Sequence, residues 1–109
     1  MMNRAWLWVI LGGLLETGWA STMKLSEGFT DIPYTALTLI LLIGSTVLLN
    51  KGLKAGIPTG PCYAVWVGIG AMGATLCGVL LFGEMLGIVG WACMLLLGAG
   101  IVGLNLVTE

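Results

Sequence analysis

Four long apolar runs, parted only by short clusters of charge, glycine and proline, take up almost every residue of this chain. They are Ala5 to Met23, broken only by Glu16, Ile32 to Asn50, Ala55 to Gly83, and Met85 to Thr108. A hydrocarbon core of about 30 Å is crossed by about 20 helical residues, so each run is long enough for one transmembrane helix. With 59% hydrophobic and 8% charged residues in 109, the chain carries far more apolar side chains than a water-facing surface of this size tolerates. The sequence therefore predicts an all-α integral membrane protein: one domain of four transmembrane helices, at approximately residues 4–23, 33–50, 58–82 and 85–107.

The breaks are readable. Ser26 to Pro33 interrupts the apolar pattern with glycine, acids and proline, which ends helix one near Lys24 and starts helix two around Pro33. Lys51 to Thr59 joins helices two and three, and Pro61 fits the first turn of helix three, where its missing N–H is no loss. Phe82-Gly83-Glu84 marks the last turn. The amino terminus enters the first span without a small-residue cleavage site, so it reads as a retained helix. Termini and second turn on one side collect Arg4, Lys51 and Lys54 against Lys24 alone on the other, a weak bias towards termini inside the cell. So small a bias allows insertion both ways, and two copies of opposite orientation to pair.

Several classes of function are excluded. A net charge of −1 offers no basic stripe for nucleic acid. Cys62, Cys77 and Cys93 are scattered, lack C-x-x-C spacing and have no histidine beside them, so they read as small packing residues and no metal or cofactor is expected. No enzymatic activity is expected either.

Glu16 is the residue that carries chemistry. A charge inside a span costs roughly 2.5 kcal/mol or more on insertion scales, so such a group usually faces a wet cavity and marks a proton or ion pathway. At 3.6 residues per turn its face of helix one also carries Val9, Gly12, Gly13, Trp19, Ala20 and Met23, placing the carboxylate between glycines and an indole. Thr38 and Ser45 share a face of helix two; a hydroxyl bonded back to its own helix is the bland alternative. Tyr63, Trp66 and Gly70 share a face of helix three, where aromatics are more often core or interface belt than lining of a site. Gly68, Gly70 and Gly73 each cost about 1 kcal/mol relative to alanine in a helix interior, which marks a close crossing, a hinge, or both. Helix four has no ionisable residue between Glu84 and Glu109, and Ala99 and Gly103 form a small-x-x-x-small pair suited to a dimer contact.

Three helices around one Glu16 make a thin wall against lipid, so two copies with facing carboxylates are expected. Two carboxylates in a low-dielectric cavity resist ionising together, which makes the pair a proton carrier. A cation that binds the same groups competes with those protons. Competition of this kind couples proton entry to cation export.

Gly13 to Ala20, Pro58 to Ala74 and the Gly83-Glu84 pair resemble the small multidrug resistance family of proton-coupled exporters, over nearly the whole chain. That resemblance implies an antiparallel, dual-topology homodimer in the bacterial inner (plasma) membrane. In it two glutamates matching Glu16 bind protons and a small cationic substrate in turn, Tyr63 and Trp66 line the cavity, and helix four joins the subunits. Trp19, three residues after the glutamate, and Gly68 to Ala74 resemble the guanidinium-exporter subtype, in which this tryptophan and a serine matching Ser45 hydrogen-bond the glutamate. Met23 to Thr30 and Ile57 to Gly60 look closer to the quaternary-ammonium subtype. Pro61-Cys62, Val67 and Asn105 also depart from the guanidinium pattern.

Three readings follow. Export of guanidinium or substituted guanidinium stands first, because a planar guanidinium matches a carboxylate bidentately. Polyselective export of hydrophobic cations through cation–π contact with Trp19, Tyr63 and Trp66 is the alternative. The third is a subunit that pairs with a dissimilar paralogue as a heterodimer.

Overall fold

The computed structural model describes residues 4–108. These form α1 (Arg4–Leu25), α2 (Ile32–Lys54), α3 (Thr59–Phe82) and α4 (Ile88–Thr108), joined by short turns, with no strand among the described residues. The helices hold 21 to 24 residues each, which at 1.5 Å per residue reaches across a hydrocarbon core. α2, α3 and α4 are long and apolar enough to cross a membrane by length and composition alone. α1 does not meet that measure, because Glu16 and its tryptophans, glycines and hydroxyls lower its mean hydropathy. It is also the most enclosed helix, packed against both α2 and α3 and burying Ala5, Trp6, Val9, Gly12, Gly13 and Thr22. A span with polar groups is tolerated where its neighbours and not lipid surround it.

Two helix ends differ from the sequence expectation. α2 runs past Asn50 through Lys51 to Lys54, and Gly52 is a contact point within it. A Cβ on Gly52 would stand 2.6 Å from Val9 Cγ2 and 3.4 Å from Cys62 Sγ, so its bare backbone seats α1 and α3. α4 begins at Ile88 and not at Met85. Gly83, in the left-handed region at φ 66°, turns the chain out of α3, and the Glu84 N–H donates to the Gly78 carbonyl at 3.0 Å. Residues 83–87 are then an irregular link.

The turn between α1 and α2 is organised by Ser26, which is wholly buried. Its hydroxyl donates to the Met23 carbonyl at 2.6 Å and accepts the Phe29 N–H at 3.1 Å. These bonds hold Glu27, Gly28 and Phe29, all at positive φ. Asp31 then caps α2 by accepting the Tyr34 N–H at 3.2 Å, with Pro33 in the first turn.

The core of Ala5, Trp6, Val9, Ile57, Cys62, Val65 and Trp66 collects where the start of α1 meets the end of α2 and the start of α3. Cys62 is wholly buried there as a packing thiol, and all three cysteines are free. Lipid offers no solvent-exclusion force between helices, so close contact through small residues holds such a bundle together. α4 packs on α3 and has no buried residue. Its inner side places Ile101 over Gly68 and Met72 against Gly98. The rest of its surface presents Leu95, Val102 and Leu106, all strongly exposed.

Candidate functional site

Glu16 lies half-buried near the middle of α1. Its Oε1 accepts the indole N–H of Trp19 at 2.5 Å, a contact that follows from an i, i+3 spacing on one helix. α3 crosses on the other side at Gly70, where a Cβ would stand 2.5 Å from Glu16 Cβ and 3.4 Å from Oε2. Only glycine leaves the carboxylate room. Next to it Thr17 donates to the Gly70 carbonyl at 3.2 Å, and its Oγ1 fills the place a Cβ on Gly73 would take. Among the described residues no other side chain donates to the carboxylate. Oε2 therefore retains acceptor capacity for a proton or for the N–H groups of a cation.

A second polar layer lies one turn away. Ser45 of α2 donates to the Gly12 carbonyl at 2.7 Å and accepts the Trp66 indole N–H at 3.0 Å. The glycine makes this possible: a Cβ on Gly12 would meet Trp66 Cδ1 and Nε1 at 3.0 Å and the Ser45 carbonyl oxygen at 3.1 Å. The Ser45 to Glu16 hydrogen bond implied by the family resemblance is thus replaced by a Ser45 bridge between α1 and α3. Trp66 is buried in the core of the single subunit and carries that bridge. Tyr63 is 55% exposed, with its ring centroid 5.5 Å from that of Trp66. Gly13, expected at the cavity, is buried under α3, where a Cβ would lie 2.8 Å from Ile69 Cβ and 3.0 Å from the Trp66 carbonyl oxygen.

Gly68, Gly70 and Gly73 lie within one uninterrupted helix from Thr59 to Phe82. Each receives a neighbour: Ile101 of α4 at Gly68, Glu16 at Gly70 and Thr17 at Gly73. They are close crossings on two faces of α3. Ala99 is exposed, and nothing lies within 4 Å of a Cβ placed on Gly103, so both face away from the subunit.

Thr17 and Thr22 join the seam although the sequence analysis did not single them out. Thr22 and Thr38 meet at 2.7 Å between their hydroxyls, and Thr38 also donates to the Tyr34 carbonyl at 2.8 Å. The signal was present in Thr38 and Ser45, both completely buried, which touch α1 at two heights. No group of metal-ligating side chains occurs among the described residues.

A sequence profile for the family described as Small Multidrug Resistance protein matches residues 4–97. The chain is 39% identical over 102 residues to a guanidinium exporter of Yersinia pseudotuberculosis serotype I (strain IP32953), covering 94% of this chain and 97% of that protein. It is 38% identical over 105 residues to guanidinium exporters of Escherichia coli (strain K12) and Salmonella thompson, covering 96% of this chain and 99% of each. Four helices, three of them long and apolar enough to cross a membrane, and relatives from bacteria agree with a multi-pass protein of the bacterial inner membrane. The chain belongs to the small multidrug resistance family.

Proposed function

We propose that this protein is a proton-coupled antiporter that exports guanidinium or substituted guanidinium ions, with Glu16 binding proton and cation in competition. The observation that carries the reading is the Glu16 carboxylate itself: one oxygen is held by the Trp19 indole and the other is left to a ligand, in the wall of a membrane bundle. A carboxylate held in one orientation suits a planar cation with N–H groups in a fixed fork. The relatives named guanidinium exporters support the same substrate class.

Glu16 is half-buried in the single subunit, so its open side needs a second wall. A second copy in antiparallel orientation supplies that wall and a second carboxylate. Tyr63, exposed beside Trp66, stands ready to line the shared cavity. The stripe of Ala99 and Gly103 on the outer side of α4 is the proposed contact between copies. Gly68, Gly70 and Gly73, without Cβ atoms, are the places where α3 can slide when the cavity changes sides.

The test is transport by the purified chain alone in liposomes. Guanidinium is expected to drive currents and proton exchange, and Glu16→Gln is expected to abolish both. Strong currents with large quaternary ammonium ions and none with guanidinium would replace the narrow substrate assignment with the polyselective one. Activity only after a paralogue is added would make the chain a heterodimer subunit.

A further inference from the structure

An apolar groove of about 300 Å³ lies along the start of α1, lined by Arg4, Leu7, Trp8 and Leu11. At about 100° per residue, Leu7 is about 180° and Leu11 about 140° around the helix from Glu16. The groove therefore opens on the side of α1 turned away from the transport site. Leu7 and Leu11 are exposed, at 51% and 47%.

Its end is cationic. Arg4 is exposed and has no ion-pair or hydrogen-bond partner among the described residues. Lys51 reaches over from the end of α2 and sets its ammonium 4.6 Å from the centre of the Trp8 ring. Two cations thus flank an indole at the mouth of a slot whose floor is leucine. Lys54 belongs to the same end of the bundle but does not line the groove. The acids Glu27, Asp31 and Glu84 all lie in the turns at the other end of the helices, so among the described residues no acidic side chain stands at this end to repel an anion.

We infer that this groove is a binding site for an anionic phospholipid, with the phosphate between Arg4 and Lys51 and an acyl chain along Leu7 and Leu11. Charge complementarity selects the occupant: a lipid of net negative charge balances Arg4 and Lys51, whereas a zwitterionic lipid brings its own cation beside them. Basic residues at the membrane surface attract anionic headgroups, and an indole at that depth anchors the helix end. Trp8 also aligns Lys51 through its ring face. The site would fix the depth of α1, and with it Glu16, relative to the bilayer. Retention of lipid does not depend on transport, so its failure and failure of the proposed export are separable.

The test uses the purified full chain in detergent, exposed to dioleoyl-phosphatidylglycerol or dioleoyl-phosphatidylcholine and read by native mass spectrometry. Retention of phosphatidylglycerol is expected to exceed that of phosphatidylcholine. Arg4→Gln and Lys51→Gln should each lower the phosphatidylglycerol excess about fivefold, and Lys54→Gln should leave it unchanged. Leu7→Trp, which fills the slot and keeps both charges, should also lower it. Circular dichroism checks that each variant keeps its helices. Equal retention of the two lipids, an equal effect of Lys54→Gln, or full competition by glycerol 3-phosphate at equal concentration would each overturn the site.

Discussion

Gly70 and Glu16 face each other across the α1–α3 crossing so closely that a Cβ on the glycine would stand 2.5 Å from the Cβ of the glutamate. The carboxylate keeps its place because α3 presents bare backbone to it. Gly70→Ala is expected to push the helices apart at the site and to lower coupled transport at least about tenfold, since small misplacements of a binding group are costly. Gly60→Ala, where nothing lies within 4 Å of the new Cβ, is the matched control and should leave transport intact. Liposome uptake for both variants checks this, with circular dichroism confirming that helix content is retained.

Trp19 holds Glu16 through its N–H, which gives the indole more than a packing role. Trp19→Phe keeps an aromatic ring and removes the donor. A hydrogen bond to a charged group is worth about 1.5 to 3 kcal/mol, so guanidinium affinity should fall about tenfold or more. Trp19→Gly also enlarges the pocket and should admit larger cations. Competition of alkylated guanidiniums and tetraalkylammonium ions in a transport assay measures both effects. An unchanged profile would reduce the indole to packing.

Ser45 ties three helices together through the Gly12 carbonyl and the Trp66 indole. In Ser45→Ala the Trp66 indole N–H is left buried without a partner, while the Gly12 carbonyl keeps its bond within α1, at a cost of about 1 to 3 kcal/mol. The expected signature is a lower melting temperature in detergent with substrate ranking preserved. A changed ranking at unchanged stability would instead place Ser45 in contact with the substrate.

Gly103 points away from its own subunit, with nothing within 4 Å of a Cβ. Gly103→Leu should therefore leave the single chain's fold unchanged and block close approach of a second α4. Cross-linking in the membrane is expected to show loss of the dimer, with helix content maintained.

The helices were legible in the sequence because membrane spans must be long and apolar, and the breaks between them carry glycine, proline or charge. Glu16 stood out for the same reason, as a charge where none is tolerated without purpose. Trp19 was found because i and i+3 lie on one helical face. Contacts between helices were harder, since the helices are apolar all round and no stripe says which side meets which. Gly13, Gly52 and Gly70 look alike in sequence, and only the crossing points show that one covers Ile69, one seats Val9 and one makes room for the carboxylate. Ser45 was set apart with Thr38 by their shared helix face, but its partner could not be read, because Gly12 and Glu16 differ by about one turn of α1.

The central claim is that proton and cation take turns at Glu16. Proton release on adding guanidinium to the purified, weakly buffered protein tests it most directly, followed across a pH series beside Glu16→Gln. Guanidinium binding is expected to expel protons where Glu16 is protonated, with apparent affinity weakening as the solution is acidified and no release from the variant. Binding of unchanged affinity at every pH, with no protons expelled, would contradict it.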